Sequence, residues 1–185
     1  MGKIKVWTKQ NIKVLDEIEK TGRYLTKREF IKKDLGDEAD LVLETYDWLV
    51  KNGPKASEKP DYADYPVWVS FSKDATMKPE KGFAVLELEI DEDMITYINI
   101  EKWGMILNYS YIPKDEEDEK RHKQLLKDYG TGDAQAYMSR FYPQIKMEIQ
   151  NSWKRLFDDS ISMGNNSCYG NIWEVRKEWI LGITK

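Results

Sequence analysis

Two acidic side chains have a spacing that could do chemistry unaided. Glu87 and Glu89 lie two apart in residues 83–90, where alternation predicts a strand. Residues two apart on a strand share a face about 7 Å from each other, a separation suited to acid–base work. The same alternation predicts a plain solvated face, which is the preferred reading of this pair. Seven tryptophans are the other chemical resource. Trp7, Trp68, Trp103 and Trp173, with Trp48, Trp153 and Trp179, fall in or beside periodic apolar segments. Core packing is their default. An aromatic-lined pocket for a base, sugar or peptide is the functional alternative, with Gln10, Asn108, Ser152 and Glu174 as the neighbouring polar groups that would orient the ligand. Asn108 and Ser152 are also ordinary turn or cap residues.

Other chemistries are disfavoured by residue type. One Cys and one His cannot make a Cys/His zinc site. His122 lies in a charged segment and is expected on a solvated surface, and Cys168 is expected to be a small packed thiol. Neither a phosphate-binding Gly-x4-Gly-Lys-Ser/Thr loop nor a dinucleotide glycine fingerprint follows a strand. Gly130-Thr131-Gly132 reads as a turn between helices. The acidic run 115–119 lacks the spacing and glycine of an EF-hand loop, so no metal is expected there.

The 185 residues suit one domain with its own core, and 1–185 is read as a single domain. With 41% hydrophobic and 34% charged residues the composition is globular. A net charge of -4 disfavours a nucleic-acid partner, because phosphate neutralisation wants a basic surface. The lone cysteine excludes a disulfide within the chain and fits a reducing compartment. Residues 1–10 carry no apolar signal core, Val6 breaks the myristoylation pattern at Gly2, and no apolar run is long enough for a membrane span. A cytoplasmic location follows as the expectation.

The elements that must position these residues read as follows. A strand covers 3–7, and Thr8 caps a helix that Gly22 stops. Thr26 and Glu29 form a capping-box pattern for a short helix ending near Gly36. A helix over 37–52, with acidic residues in its first turn, puts Leu41, Thr45, Trp48 and Leu49 on one face, with Val42 and Tyr46 beside them. Strands are expected at 65–71, 83–90 and 95–98, with another at 105–108. The best of them, 83–90, turns Ala84, Leu86, Leu88 and Ile90 to one face. A charged surface helix covers 115–129 and a helix covers 133–142. Pro143 opens a further helix whose buried stripe is Ile145, Ile149, Trp153 and Leu156. Residues 160–167 form a loop, 172–175 a last strand and 177–183 a short terminal element. The irregular mixing of helices and strands favours α+β, a compact domain with a bent or split mixed or antiparallel sheet and helices packed on it.

Several stretches together carry a resemblance. They are Lys5-Val6-Trp7-Thr8-Lys9-Gln10, Tyr46-Asp47-Trp48-Leu49-Val50, Tyr65-Pro66-Val67-Trp68, the run from 83 to Trp103, Leu107-Asn108, residues 152–158, and Ile172-Trp173-Glu174-Val175-Arg176 through Trp179. In order and spacing the set resembles a bacterial family known as domain of unknown function 3841, over nearly the whole chain. The resemblance implies one complete domain and no established activity. Tyr169 departs from the pattern, which has a Gln there.

A looser similarity is to ADP-ribosyltransferase-like folds, in the order Trp7-Thr8, Ser70 on strand 67–71, and Glu174 late. That likeness implies NAD as cofactor, with Glu174 and Ser70 as catalytic residues. The carboxylate would hold a ribose hydroxyl and steady an oxocarbenium-like state. The first strand lacks the expected His or Arg, and Lys5 or Lys9 is a poor substitute for a planar donor. The leading expectation is therefore a small binding or interaction protein with no cofactor and a protein partner. The alternative is a NAD-using transferase with Trp7, Gln10, Trp68, Trp103, Asn108 and Trp173 around the substrate.

Overall fold

The computed structural model describes residues 2–36, 39–76 and 78–185. The fold is α+β with antiparallel sheets. Its contacts divide into two compact units, Met1–Tyr97 with Cys168–Lys185, and Ile98–Ser167.

The first unit is built on β1 (Lys3–Asn11) and β4 (Phe83–Asp91), paired from Lys3↔Asp91 to Asn11↔Phe83. Strand β8 (Ile180–Thr184) lies on the other side of β4, with a register shift between Glu87 and Leu88. The alternation in β4 does what it predicts: Ala84, Leu86, Leu88 and Ile90 are buried, and Val6 of β1 joins them. Helix α1 (Lys13–Thr21) adds Val14 and Ile18 to this core. Each such aliphatic side chain contributes about 1.5–3 kcal/mol by leaving water. A second sheet has the order β3-β6-β5, from Val67–Val69, Cys168–Ile172 and Thr96–Asn99. Strands β2 (Arg23–Tyr24) and β7 (Val175–Arg176) pair by themselves. The expected strand 172–175 is therefore two strands with Trp173 and Glu174 between them.

Local start signals were partly misleading. Thr8 does not cap α1. It stays in β1, which runs to Asn11, and its hydroxyl donates to the Trp68 carbonyl at 2.8 Å. Gly22 does end α1, in the left-handed region at φ 79. The Thr26–Glu29 capping box does not form. Thr26 is held in a bridge to Tyr65, and the Arg28 amide at the start of α2 (Arg28–Leu35) donates instead to Asp64 Oδ2 at 2.9 Å. Helix α3 is Ala39–Asn52. Asp37 and Glu38, the expected acidic first turn, lie outside the described residues. The buried face of α3 is Ala39, Leu43, Thr45 and Leu49, whereas Leu41 is exposed. Gly170 in β6 has a packing reason to lack a side chain. A Cβ there would stand 2.8 Å from both the Val69 and the Ile95 methyl carbons.

The second unit contains helices α4 (Ile100–Leu107), α5 (Glu116–Asp128), α6 (Asp133–Met138) and α7 (Pro143–Ser152), followed by a 3₁₀ turn at Trp153–Phe157. The strand expected at 105–108 is the end of α4. Asn99 caps this helix by accepting the Lys102 amide at 3.0 Å, and Trp103 and Ile106 share its buried face. The helix expected over 133–142 stops at Met138. Pro143 opens α7 as expected, and Ile145, Ile149, Trp153 and Leu156 are all buried. Trp153 stacks on Tyr137 at 5.2 Å, Tyr137 stacks on Tyr109 at 4.5 Å, and the indole N–H donates to the Ser110 carbonyl. Tyr109 takes a positive φ of 55, which costs a non-glycine residue energy and is offset here by this aromatic stack.

Candidate functional site

The residues of the transferase reading are divided between the units, with Trp7, Ser70 and Glu174 in the first, where the Trp7 indole N–H and Glu174 Oε2 are buried without a hydrogen bond. Trp7 and Ser70 meet through a backbone bridge, Trp7 N to Ser70 O at 3.0 Å and Ser70 N to Trp7 O at 2.8 Å. The Ser70 hydroxyl is buried and turned into its own loop, donating to the Ser72 carbonyl at 2.9 Å and sharing a short hydrogen bond with Thr76. Glu174 is 8% exposed. Its Oε1 accepts from Arg176 Nε at 2.7 Å, and Oε2 lies 3.8 Å from Arg23 Nη1. Gln10 donates to Thr8 at 2.8 Å. Trp68 sits opposite Asn171 in the β3–β6 ladder and meets the Tyr46 ring edge-on. Trp173 donates its indole N–H to the Lys55 carbonyl at 3.2 Å. It also lines a water-sized cavity of about 20 Å³ with Asn171 and Leu49. Trp103 and Asn108 belong to the second unit. Trp103 is core, and Asn108 closes α4 by donating to the Gly104 carbonyl at 2.7 Å. Glu87 carries an ion pair with Lys5 at 2.9 Å, as a strand-face residue would.

The most concentrated chemistry lies in the second unit, around the histidine that composition assigned to the surface. His122 is 3% exposed. Residues 118 and 122 are one turn apart on α5, so the face that turns Asp118 inward turns His122 inward too. The acidic start of the helix hides this, because only one face of a charged helix need be buried. His122 Nε2 lies 2.7 Å from Asp133 Oδ1 and Nδ1 lies 3.0 Å from Glu148 Oε1. Its ring stacks on Tyr111 at 3.9 Å and 9°. Carboxylates only accept, so both bonds are satisfied together only by the imidazolium. Burial disfavours that charge, yet the hydrogen bonds it donates to Asp133 and Glu148 outweigh this and raise the His122 pKa.

A second layer surrounds the imidazole. The Tyr111 hydroxyl donates to Asp118 at 2.9 Å, and the Tyr111 amide donates to Asp133 Oδ2 at 3.0 Å. Arg121 Nη2 reaches Asp118 at 3.0 Å and Glu148 at 2.7 Å, and Arg155 Nη1 reaches Asp118 at 2.9 Å. Burial opposes ionisation of Asp118, but the Lys114 amide, Tyr111 and the two arginines hold its carboxyl well below the usual range. Glu148 is lowered in the same way by Arg121 and His122 against its own burial. Three cations and three carboxylates thus interlock α5, α6 and α7. Both ring nitrogens of His122 are committed, so it is not poised as a general base. Among the described residues no cluster of His, Cys, Asp and Glu could hold a metal ion.

Beside this network is a surface the fold does not use. Met138, Phe141 and Met147 are exposed, Phe141 at 88%. They flank the turn from α6 to α7. Gln144, Met147, Glu148 and Asn151 are spaced i, i+3, i+4, i+7 along one stripe of α7, away from buried Ile145 and Ile149. This stripe lines a hollow of about 400 Å³ with Tyr111 and Arg155. No residue pattern in the sequence singles out this corner. The signal that could have found it is the pair of apolar residues, Met138 and Phe141, left over once the 145/149/153/156 stripe is assigned to the core.

Among the described residues no helix is long and apolar enough to cross a membrane. No curated protein and no solved structure matches the chain. The likeness to ADP-ribosyltransferase-like folds gains no support from these comparisons. A family model does match, over residues 5–181, and its description is domain of unknown function (DUF3841). With nearly the whole length matched, in the order in which the tryptophan-bearing stretches resemble it, the chain belongs to the domain of unknown function 3841 family.

Proposed function

We propose that this chain is a binding protein that engages a protein partner through the α6–α7 corner of its second unit. The observation that carries the reading is the exposure of Phe141, together with that of Met138 at the end of α6 and Met147 in α7. Aromatic, Met and Arg side chains are enriched where proteins meet, and an 88% exposed Phe contributes nothing to its own fold. The transferase alternative would need a free hydroxyl at Ser70 and a free carboxylate at Glu174. The Ser70 hydroxyl is turned into its loop and Glu174 is paired with arginines, which favours binding over catalysis. The net charge of -4 argues against a nucleic-acid partner, and the lone Cys168 fits a reducing cytoplasm.

The test is a ligand-observed NMR titration of the protein with NAD⁺, repeated on Glu174→Ala. The expected result is no saturable binding at millimolar NAD⁺ in either protein. Saturable binding lost in Glu174→Ala would overturn this reading and restore the transferase, with NAD as its cofactor.

A further inference from the structure

We propose that the segment docking on this corner is acidic as well as apolar, with one carboxylate received by Arg155; this rests on the docking reading above. The charge pattern points that way. Across residues 138–147 the charged side chains are Arg140 and Lys146, both basic, in a chain of net charge -4. Arg140 is exposed and has no ionic partner among the described residues. Lys146 lies over the Tyr137 ring at 4.3 Å, which fixes its position near the corner.

Arg155 supplies the specific contact. Its Nη1 is committed to Asp118 and to the Ile112 carbonyl. A guanidinium has five N–H donors in a planar fork, so the Nε and Nη2 edge remains for a bidentate carboxylate. Arg155 also interacts with the Tyr111 hydroxyl; its hydrogen bonds to Asp118 and Ile112 both use Nη1, and the side chain lines the hollow. Glu148 also lines the hollow, but Arg121 and His122 neutralise it and hold it in place. The stripe from Gln144 to Asn151 spans about 10 Å, two helical turns. Its amides offer hydrogen bonds, and the flexible side chain of Met147 can mould to an apolar residue. An incoming segment with a large apolar residue on Met147 and an Asp or Glu reaching Arg155 matches the lining of the hollow.

The experiment pans a random-peptide display library on the intact chain, counter-selecting against Phe141→Ala. Recovered peptides are then measured by fluorescence anisotropy against wild type, Phe141→Ala, Arg155→Lys and Arg140→Gln. Arg140→Gln is included because Arg155 also supports the fold through Asp118. The expected peptides carry Asp or Glu beside a large apolar residue. Phe141→Ala should weaken them at least about tenfold, Arg140→Gln about threefold, and added salt should weaken them further. Neutral or basic peptides that still depend on Phe141 would overturn the acidic chemistry and leave the docking surface standing. No recovered peptide, or binding indifferent to Phe141→Ala, would overturn the docking surface itself. A concentration-dependent dimer abolished by Phe141→Ala would make a second copy the occupant and also overturn the proposal.

Discussion

Glu174 in the first unit and Glu148 in the second are both partly buried glutamates paired with arginine, yet their surroundings differ in kind. Glu174 lies between two short strands and meets Arg23 and Arg176, each more than 40% exposed at its side chain. Its arginine partners face water, but its own carboxylate does not: Oε2 is sealed from solvent and accepts no hydrogen bond. Glu148 faces an imidazole that is itself nearly sealed, and Arg121 ties it to a second carboxylate. The first unit is held by an apolar sheet face with ion pairs at its margin. The second has an aromatic core backed by an internal ionic lattice. A glutamate's residue type therefore says little until its partners' access to water is known.

Three substitutions would sharpen or break this contrast. The largest effect is expected from Leu86→Ala in β4, where a fully buried aliphatic chain lies opposite Thr8 and belongs to the core cluster that includes Val6. A loss of about 3 kcal/mol, the same at every pH, is expected in urea unfolding. A loss under about 1 kcal/mol would mean that the sheet face is not the first unit's main support.

His122→Gln comes next, with a loss of about 2–3 kcal/mol near pH 6, measured by exchange protection of α5–α7 amides. The folded-state pKa of His122 is raised above its usual value. Its contribution is therefore complete below the unfolded-state pKa and is lost as pH rises through the folded one. Wild-type protection should fall as pH rises from below the ordinary histidine pKa through the raised folded-state one. In the variant that dependence should vanish. An unchanged pH profile would show that the imidazole is neutral in the fold.

Glu174→Gln should matter least, about 1 kcal/mol, because the arginines it leaves are already hydrated and its buried Oε2 has no hydrogen bond to lose. A loss as large as that of His122→Gln would erase the distinction between the two glutamates.

Much of the scaffold was legible in the sequence. The period-two run in β4 and the period-3.6 stripe of α7 each commit many side chains to one face, and both were read correctly. The Pro143 start and the Gly22 stop act through backbone geometry alone, so they too were visible. What failed were signals that depend on a distant partner. Thr26 looked like a cap, but its backbone was claimed by Tyr65. Residues 105–108 looked extended because Ile106 and Gly104 are poor helix formers, and the cap at Asn99 lies before the segment. His122 looked solvated because its neighbours in the helix are charged, but its partners are carboxylates on α6 and α7. Of the residues named for a site, Trp7 and Ser70 do meet. That contact is a bridge between backbones, which composition and spacing do not report. Phe141 drew no notice because an apolar residue outside a periodic stripe has no pattern to belong to.

The Asp64 cap on α2 has a bearing on the sequence of events in folding. The amide it accepts belongs to Arg28, so the first turn of a short, lysine-rich helix is stabilised by a residue far along the chain. An isolated helix of this length is marginal in water. Helix α2 must therefore wait for the loop bearing Asp64 to close, and closure must fix Tyr65 against Thr26 in the same step. A nascent chain halted before Asp64 would carry this segment without its cap. The cap makes the element late by construction, a clock set by contact distance rather than by helix propensity.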